Sequence, residues 1–397
     1  MATTNPMIDA SSAALRPSSS LLVLLPSAQQ AQIESIVAAL AASFPNDGLL
    51  IATPEGTSAD SNANIQFVEL PGGKPSWTLT AVEFASAHQV AQKYSTRAIL
   101  VLGPEAASLS TTGLTSLAHA AMNDSTDLAV PCYDLPARAG LVNSSILYPL
   151  SRALFANRAR FPLAVDLGLS VRMAERLGVA AQRFVALHQS DVPLWVVNEA
   201  MVAGMRVEEV DAGPRALPQP ADPDLNTVLP FVTGSLFSDI EAKAAFWQRA
   251  RVSPPVHRGS APGAMAADAA GEVASMLEGF RLAYNNLREI WGLVLPPNTM
   301  LGLKRLSLID GAAFRMPETL WARIVFDFLI AYRTRTMNRG HLLGALIPLY
   351  LAWVASHVNA IAAGEDPERH IELHAAAFET EKPYLVARWR WPDRFNP

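Results

Sequence analysis

Leu21-Leu22-Val23-Leu24-Leu25-Pro26 is an unbroken apolar run, and it sets the fold class of this chain. Five apolar residues without polar alternation predict a strand that is buried on both faces, and Pro26 ends it. Residues 30–44 then place apolar side chains at helical spacing, and further apolar runs follow at 48–52 and 98–102. Because strands alternate with helices in this way, we predict βαβ units and a mostly parallel sheet.

The pattern on either side of this run divides the chain into three parts. Further strands are predicted at 64–70, 128–131 and 205–210, and further helices at 78–94, 143–157, 168–178 and 194–203. After residue 223 the pattern becomes helical, over about 224–250, 272–291, 317–335, 341–363 and 366–380. We therefore predict a disordered tail over 1–18, an α/β domain over 19–223, and a helical region over 224–397 with a linker at 253–271.

The composition limits the class of protein. Half of the 397 residues are hydrophobic, 17% are charged and the formal net charge is −5, which indicates a folded chain and argues against a nucleic-acid partner. Cys132 is the single cysteine, so a disulfide within the chain is impossible. No secretory signal is recognisable before Leu21, and we expect a cytoplasmic protein.

One apolar segment raises the question of a membrane. Residues 342–364 contain no Asp, Glu, Lys or Arg and are long enough to span a bilayer. The segment contains Pro348, His357 and Asn359, and other amphipathic helices flank it, so we expect a helix buried within the helical region. Peripheral contact with a membrane stays open.

Candidate functional residues follow the predicted strands. Ligands of parallel sheets bind at the carboxyl ends of the strands, which here are the loops after 25, 52, 70 and 102. Pro26, Lys74 of Gly72-Gly73-Lys74 and Glu105 lie on three of these loops. Asp166 lies in an apolar stretch, where burying a carboxylate costs free energy unless the group is paired or binds a ligand. These residues are the candidates for a ligand site.

Two histidines have the spacing of a metal-binding helix, but the rest of that motif is absent. His370 and His374 lie four residues apart on a predicted helix, as in metalloprotease helices. Those helices carry Glu directly after the first His, whereas Glu372 here lies one position later and points to another face. We therefore do not expect a zinc site.

Three stretches carry a resemblance to a known family. They are Asn143-Ser144-Ser145-Ile146-Leu147-Tyr148-Pro149-Leu150-Ser151-Arg152-Ala153-Leu154-Phe155, Arg160-Phe161-Pro162-Leu163-Ala164-Val165-Asp166-Leu167-Gly168, and the segment from Trp195 to Val207. These resemble elements of bacterial GT-A-fold glycosyltransferases related to mannosylglycerate synthase and glucosyl-3-phosphoglycerate synthase. The resemblance implies an α/β, GT-A-like (Rossmann-like) fold with a mostly parallel sheet and a helical C-terminal extension.

The resemblance also implies an activity and its site. Family members transfer a hexose from a nucleotide sugar to a small or lipid-linked acceptor, with retention. It places Pro26, Lys74, Glu105 and Arg215 at the nucleotide sugar, with Lys74 and Arg215 facing the diphosphate. Asp166 takes the position of a carboxylate that contacts donor or acceptor. Pro193 replaces a second catalytic Asp of the family, and Asp191, two residues earlier, is the candidate to take its place. A homo-oligomer or a partner chain stays open.

The chain departs from the family at the metal. Family enzymes hold Mg²⁺ or Mn²⁺ with an Asp-x-Asp motif, and the cation stabilises the leaving diphosphate. Here the motif is degenerate, since Gly103-Pro104-Glu105 stands in its place and leaves Glu105 as the one metal-ligand candidate. Leu217 stands where a His ligand is expected, and Ala164-Val165 replaces a Gly pair. Two functions therefore remain open: an active hexosyltransferase, or an inactive homologue that binds a ligand or a partner.

Overall fold

The computed structural model describes residues 20–54, 64–70, 76–189, 191–220, 224–250 and 269–392. The seven strands of its sheet are β1 (Leu21–Leu24), β2 (Leu49–Thr53), β3 (Ile65–Glu69), β4 (Ala98–Leu102), β5 (Leu128–Asp134), β6 (Asp166–Ser170) and β7 (Val207–Pro214). They lie in the order β3-β2-β1-β4-β6-β5-β7. Strand β6 runs antiparallel to both neighbours, and the other described pairings are parallel. The predicted mostly parallel α/β sheet is confirmed.

In the described part of the chain, six helices connect the strands of this sheet. They are α1 (Gln30–Ser43), α2 (Ala81–Tyr94), α3 (Thr111–Met122), α4 (Tyr148–Phe155), α5 (Val171–Ala186) and α6 (Val196–Val202). Strands β1, β2 and β4 are buried along their whole length, as their continuous apolar runs predict. Helix α2 begins with a capping box in which the Thr80 backbone N–H donates to Glu83 at 2.8 Å.

The segment 168–178 was expected to be helical from its start, and this prediction was wrong for its first residues. They form β6 instead, because Gly168 lets the strand pass close to α3: an added Cβ would lie 2.8 Å from the Ala121 Cβ. The helix begins only after Ser170, whose side chain accepts the Met173 N–H and caps α5. A strand only five residues long is paired on both sides, so tertiary pairing overrides the local pattern here.

The second half of the described chain is helical, as expected. Its helices are α7 (Leu225–Ala242), α8 (Ala244–Trp247), α9 (Ala269–Asn286), α10 (Arg288–Val294), α11 (Pro297–Leu306), α12 (Glu318–Thr334), α13 (Arg339–Ala362) and α14 (Pro367–Arg390). Helix α13 packs against α9 and α7, and α14 packs against α12 and α4. The core of this region also includes Ile146, Phe155 and Trp195 from the first half. The helical core therefore includes segments from the first half of the sequence as well as from the second.

Helix α13 is the apolar segment noted in the sequence. Among the described residues it is the one helix long and apolar enough to cross a membrane, but 78% of its most apolar window is buried inside the protein. The helices around it cover its apolar surface, which accounts for a helix that is hydrophobic all round. The expectation of a buried helix within the helical region is confirmed.

Three histidines and a tryptophan form a buried polar cluster, the histidine cluster, between α13 and α14. His357 Nδ1 and His370 Nδ1 are 2.9 Å apart, and the Trp353 Nε1–H donates to His374 Nδ1 at 3.2 Å. Burial lowers the pKa of His357 to about 3, with the neighbouring His370 contributing, so the ring is neutral at pH 7. No group of three His, Cys, Asp or Glu among the described residues is placed to hold a metal.

Candidate functional site

The carboxyl edge of the sheet brings together residues that are far apart in the sequence. Asp166 begins the antiparallel β6 and pairs with Leu102, the last residue of β4. Tyr133 lies near the end of β5, and Arg215 directly follows β7. Because β6 runs the opposite way, its first residue reaches the edge at which β4, β5 and β7 end. We call this set the Asp166 corner.

The Asp166 carboxylate is buried and held by several donors. Its residue is 0% exposed. Oδ1 accepts the Gly103 backbone N–H at 3.2 Å and Arg215 Nη2 at 3.2 Å, and Oδ2 accepts the Tyr133 hydroxyl at 2.8 Å and Arg215 Nε at 2.8 Å. Both oxygens are therefore engaged inside the protein. A buried carboxylate needs this pairing, since burial without a partner costs several kcal/mol.

Arg215 is committed to the same corner. Beyond its two contacts with Asp166, Nη2 donates to the Pro104 carbonyl at 2.6 Å, and Nη1 donates to the Glu105 carbonyl and to the Ser108 hydroxyl. Burial alone would lower the pKa of Arg215, but the hydrogen bonds and charge of Asp166 outweigh it and raise the pKa. The guanidinium thus fastens the loop after β4 to β6, and its side chain is 0% exposed.

Two of the departures from the family motif touch each other. A Cβ added to Gly103 would lie 2.7 Å from the Val165 carbonyl oxygen and 2.8 Å from the Val165 Cβ. Real Cβ atoms do not approach so closely, so a side chain at residue 103 requires the backbone of residue 165 to move. The Gly103 N–H also donates to the Val165 carbonyl at 2.8 Å. The corner is therefore reshaped around the glycine.

Glu105 is placed at the surface of the corner. Its side chain is exposed, and its backbone adopts a left-handed conformation with φ 61°. The structure does not bring it together with two further metal-ligand side chains, because no such group of three exists among the described residues. Leu217, at the position of the expected His, is half-buried and packs against the core of the α/β half. The role of Glu105 as a metal ligand stays a prediction.

The remaining predicted residues are dispersed. Pro26 is buried at the end of β1. Lys74 lies outside the described residues. Asp191 is exposed on the segment that leads into α6, where the Val192 carbonyl accepts the Ala81 N–H at 3.2 Å. Their roles at a nucleotide sugar, and the catalytic roles of Asp166 and Asp191, stay predictions.

A cleft of about 550 Å³ lies beside the Asp166 corner, and sequence reasoning missed it. We call it the β5–β7–α14 cleft, because the ends of β5 and β7 and the start of α14 line it. Its lining includes the polar or charged side chains of Tyr133, Asp134, Arg160, Glu209, Asp211 and Glu368. Since the Tyr133 hydroxyl binds Asp166, the cleft and the corner share one wall. An open cleft of this size accommodates a small molecule.

Arg160 is the buried cation of this cleft. It is 4% exposed, and its Nε and Nη2 bind the two oxygens of Glu368, each at 3.1 Å. Nη2 also donates to the Ser144 hydroxyl at 2.9 Å, and the Arg160 backbone N–H donates to Glu209 at 2.6 Å. Nη1 has no hydrogen-bond partner among the described residues. This atom is itself buried, so the missing hydrogen bond is a cost in stability and the donor is not open to the cleft.

A signal for the cleft was present in the sequence of β7. Glu209 and Asp211 alternate with the buried Val210 and Ala212, so the two carboxylates lie on one face of the strand. Such an acidic face at the carboxyl end of a parallel strand lies where ligands bind. The other wall was hidden, because Glu368 follows Glu209 by more than 150 residues in the chain.

Comparison with known proteins gives solved structures alone. One is glucosyl-3-phosphoglycerate synthase from Mycobacterium tuberculosis in complex with phosphoglyceric acid, with 14% identity and a TM-score of 0.35, covering 56% of this chain and 79% of that one. A mycobacterial protein has 13% identity and a TM-score of 0.35, over 56% and 74% of the two chains. The same synthase with Mn²⁺, UDP-glucose and phosphoglyceric acid gives 13% and 0.32, over 56% and 79%. No family model and no curated protein matches the sequence.

Proposed function

We propose that this chain is a homologue of the GT-A glycosyltransferases that does not carry out metal-assisted hexosyl transfer, and that it binds a small molecule in the β5–β7–α14 cleft. The observation that carries the proposal is the contact of Gly103 with Val165. A Cβ at residue 103 would lie 2.7 Å from a backbone oxygen, so the first carboxylate of an Asp-x-Asp motif would fit only if the backbone of Val165 moved.

Transfer from a nucleotide sugar releases a diphosphate, and a divalent cation stabilises the negative charge that develops on it. The corner offers one exposed carboxylate, Glu105, where the resembled enzymes use several ligands. Arg215 does not replace the metal, because its donors are engaged by Asp166 and by the carbonyl groups of Pro104 and Glu105.

Transfer without a metal is the second candidate, and one contact favours it. The Tyr133 hydroxyl joins Asp166 to the wall of the cleft, with an oxygen-to-oxygen distance of 2.8 Å. A molecule in the cleft would therefore lie beside a carboxylate at the sheet edge where nucleotide ligands bind in such folds. Burial and the charge of Asp166 raise the pKa of Tyr133 well above its usual range, so its hydroxyl stays protonated and acts as a donor.

Calorimetric titration with UDP, GDP and ADP, each with and without Mn²⁺, separates these candidates. We expect no Mn²⁺-dependent binding to the full chain. Micromolar binding that requires Mn²⁺ would overturn the proposal. Binding that is equal with Mn²⁺ and with EDTA, together with release of UDP from UDP-glucose in EDTA, would establish the metal-free transferase instead.

A further inference from the structure

The outer edge of strand β3 (Ile65–Glu69), which we call the β3 edge, has no partner strand among the residues that the structure describes, because β3 is the first strand in the sheet order. Its inner side pairs in parallel with β2. There the Leu49 N–H donates to the Asn64 carbonyl at 2.8 Å. At the other end of the strand the Leu70 N–H donates to the Thr53 carbonyl, also at 2.8 Å. These two bonds fix which residues of β3 direct their backbone groups inwards.

The odd-numbered residues of β3 direct their backbone groups outwards. In a parallel ladder, every second residue presents both its N–H and its C=O to a given neighbour. Since Asn64 and Leu70 bind β2, the groups on the outer side belong to Ile65, Phe67 and Glu69. No hydrogen bond from another described residue reaches them. A row of unpaired N–H and C=O groups of this kind is a template for a further strand.

The β3 edge lacks the features that usually keep edge strands from pairing. Natural edge strands often carry several charges, a proline or a bulge. The opposite edge strand, β7, has exposed carboxylates at Glu208, Glu209 and Asp211, and its pairing with β5 shifts in register. Residues 65–69 read Ile-Gln-Phe-Val-Glu, with an unbroken register against β2 and one charge at its end. The β3 edge is therefore the regular and weakly charged edge of this sheet.

A groove of about 620 Å³ runs along the β3 edge, between the strand and helix α2. Residues 66–69 line it on one side, and Gln89, Val90, Lys93 and Tyr94 of α2 line it on the other. Successive side chains of a strand point to opposite faces, so a lining that includes four successive residues borders the backbone edge and not one face alone. The groove therefore has room for side chains of a strand added beside β3.

The two ends of the groove carry opposite charges. Strands β3 and β4 run in the same direction, so α2, which connects them, runs the opposite way. Lys93 in the last turn of α2 therefore lies towards the amino end of β3, whereas Glu69 lies at the carboxyl end. Both side chains are exposed. A strand that enters in the antiparallel direction with the same two charges would meet opposite charge at both ends.

We propose that the β3 edge pairs with the same edge of a second copy of this chain, antiparallel and about a two-fold axis at Phe67. Phe67 exchanges both of its backbone bonds with Phe67 of the partner subunit, and Ile65 does so with Glu69 of the partner subunit. By symmetry, every outward N–H and C=O of the edge is satisfied. Glu69 of each copy lies towards Lys93 of the partner subunit, whereas a parallel arrangement would bring like charges together. The dimer surface is independent of the proposed function.

Sedimentation velocity of the full chain, from low to high micromolar protein, tests whether this dimer forms. The strand is five residues long, so the interface is small, and we expect reversible association with a micromolar dissociation constant. A monomer at every concentration would overturn the inference and would point to a different chain as the occupant of the edge.

Glu69→Pro tests the backbone pairing. It removes an outward N–H and leaves the ladder with β2 complete, and proline is tolerated on such an edge. Each dimer loses the two bonds from this N–H to Ile65 of the partner subunit, so association should weaken at least about tenfold, or about 1.4 kcal/mol. Glu69→Gln is the matched control, because it removes the charge and keeps the N–H, and its loss should be smaller. Circular dichroism checks that both variants are folded. A dimer that tolerates Glu69→Pro as well as Glu69→Gln would overturn the inference.

A charge exchange tests the antiparallel direction. Glu69→Lys and Lys93→Glu should each weaken the dimer about tenfold, since each places like charges together at both symmetric contacts, and the double variant should restore it. Asp124→Lys is the control for net charge, because its side chain is 95% exposed and it lies next to β5, on the far side of the sheet. An equal loss in this control, or a double variant no tighter than the single ones, would contradict the proposed two-fold arrangement.

Discussion

Two buried polar clusters, one in each half of the molecule, solve the same physical problem in different ways. The Asp166 corner keeps its charges and pairs them, with Asp166 and Arg215 side chains both 0% exposed. The histidine cluster keeps its rings neutral instead, because burial lowers the pKa of each of its three imidazoles. The stability of the Asp166 corner therefore depends on its partner cation, whereas that of the histidine cluster depends on pH.

The largest expected effect comes from removing the cation of the Asp166 corner. Arg215→Met leaves a buried carboxylate without its main partner, and breaking a buried pair in this way costs about 3–5 kcal/mol. Urea unfolding followed by circular dichroism measures the loss. The comparison fails if Arg215→Met changes the free energy of unfolding no more than Arg206→Met does. Arg206 is the control, because its side chain is 58% exposed and its partner Asp127, although buried, still accepts the Arg206 backbone N–H at 2.9 Å when the side chain is changed.

The next effect tests the close approach at the same corner. Gly103→Ala forces a Cβ against Val165 and should destabilise the protein by about 1–3 kcal/mol through overpacking. Gly292→Ala is its control, since no atom lies within 4 Å of a Cβ there and alanine favours the helix. Thermal unfolding compares the two variants. A neutral Gly103→Ala would show that Val165 yields and that the corner is less rigid than the contact distances indicate.

The histidine cluster predicts a pH dependence with a defined sign. His357 is neutral in the folded state with a pKa of about 3, against 6.5 when unfolded, so the unfolded state binds more protons as the pH falls below 6.5. Its contribution to stability is complete above pH 6.5 and declines towards pH 3. Between pH 6.5 and 5.5 the loss is about 1 kcal/mol from this residue alone.

His357→Gln isolates that contribution. The variant cannot take up a proton at residue 357, so its free energy of unfolding should fall less steeply than that of the wild type over the same pH range. The pair of urea titrations at pH 6.5 and 5.5 gives the difference. Parallel curves for the two proteins would mean that His357 titrates normally, and the contrast between a paired corner and a neutral cluster would be lost.

The smallest expected effect is a loss of stability with rising pH, opposite in sign to that of His357. It comes from Asp327, in the same half of the molecule as the histidine cluster. Burial raises the pKa of Asp327 to about 7, against opposing contributions from Tyr384 and Arg388. The folded state therefore binds the extra proton, and this stabilisation is lost as the pH rises through 7. From pH 6.5 to 7.5 the loss is about 0.7 kcal/mol.

Asp327→Asn should abolish this loss, and stability curves at the two pH values measure it. If the variant shows the same decline as the wild type, Asp327 is ionised throughout, and the helical half would contain a paired charge like that of the Asp166 corner. The contrast between paired charges and neutral groups would then hold for the two clusters, and it would not extend to the two halves of the molecule.

The strands that could be predicted most directly from the sequence are those that lie in continuous apolar runs. The apolar runs of β1, β2 and β4 gave strands because nothing polar interrupts them. Strand β6 was missed, since Asp166 and Gly168 make its composition unlike a buried strand. Its pairing with β4 and β5 depends on residues that are distant in the chain.

The site was predictable in its location and not in its contacts. The carboxyl edge, Asp166 and Arg215 were all singled out from the residues and the resemblance. That these two side chains bind each other was not foreseen, because 49 residues separate them. The cleft escaped prediction for the same reason, since α14 closes it from the far end of the chain. Contacts between residues that are distant in the chain cannot be predicted from the local sequence pattern.

The distribution of tryptophan has a practical consequence. Seven of the eight tryptophans, Trp77, Trp195, Trp247, Trp291, Trp321, Trp353 and Trp389, belong to or pack against the helical core, and Trp391 is exposed at the end of α14. The core of the α/β half, over the residues that the structure describes, contains none. Intrinsic fluorescence therefore reports on one core, whereas far-ultraviolet circular dichroism reports on both. Any gap between the two unfolding transitions measures how far the sheet and the helices melt as separate cooperative units.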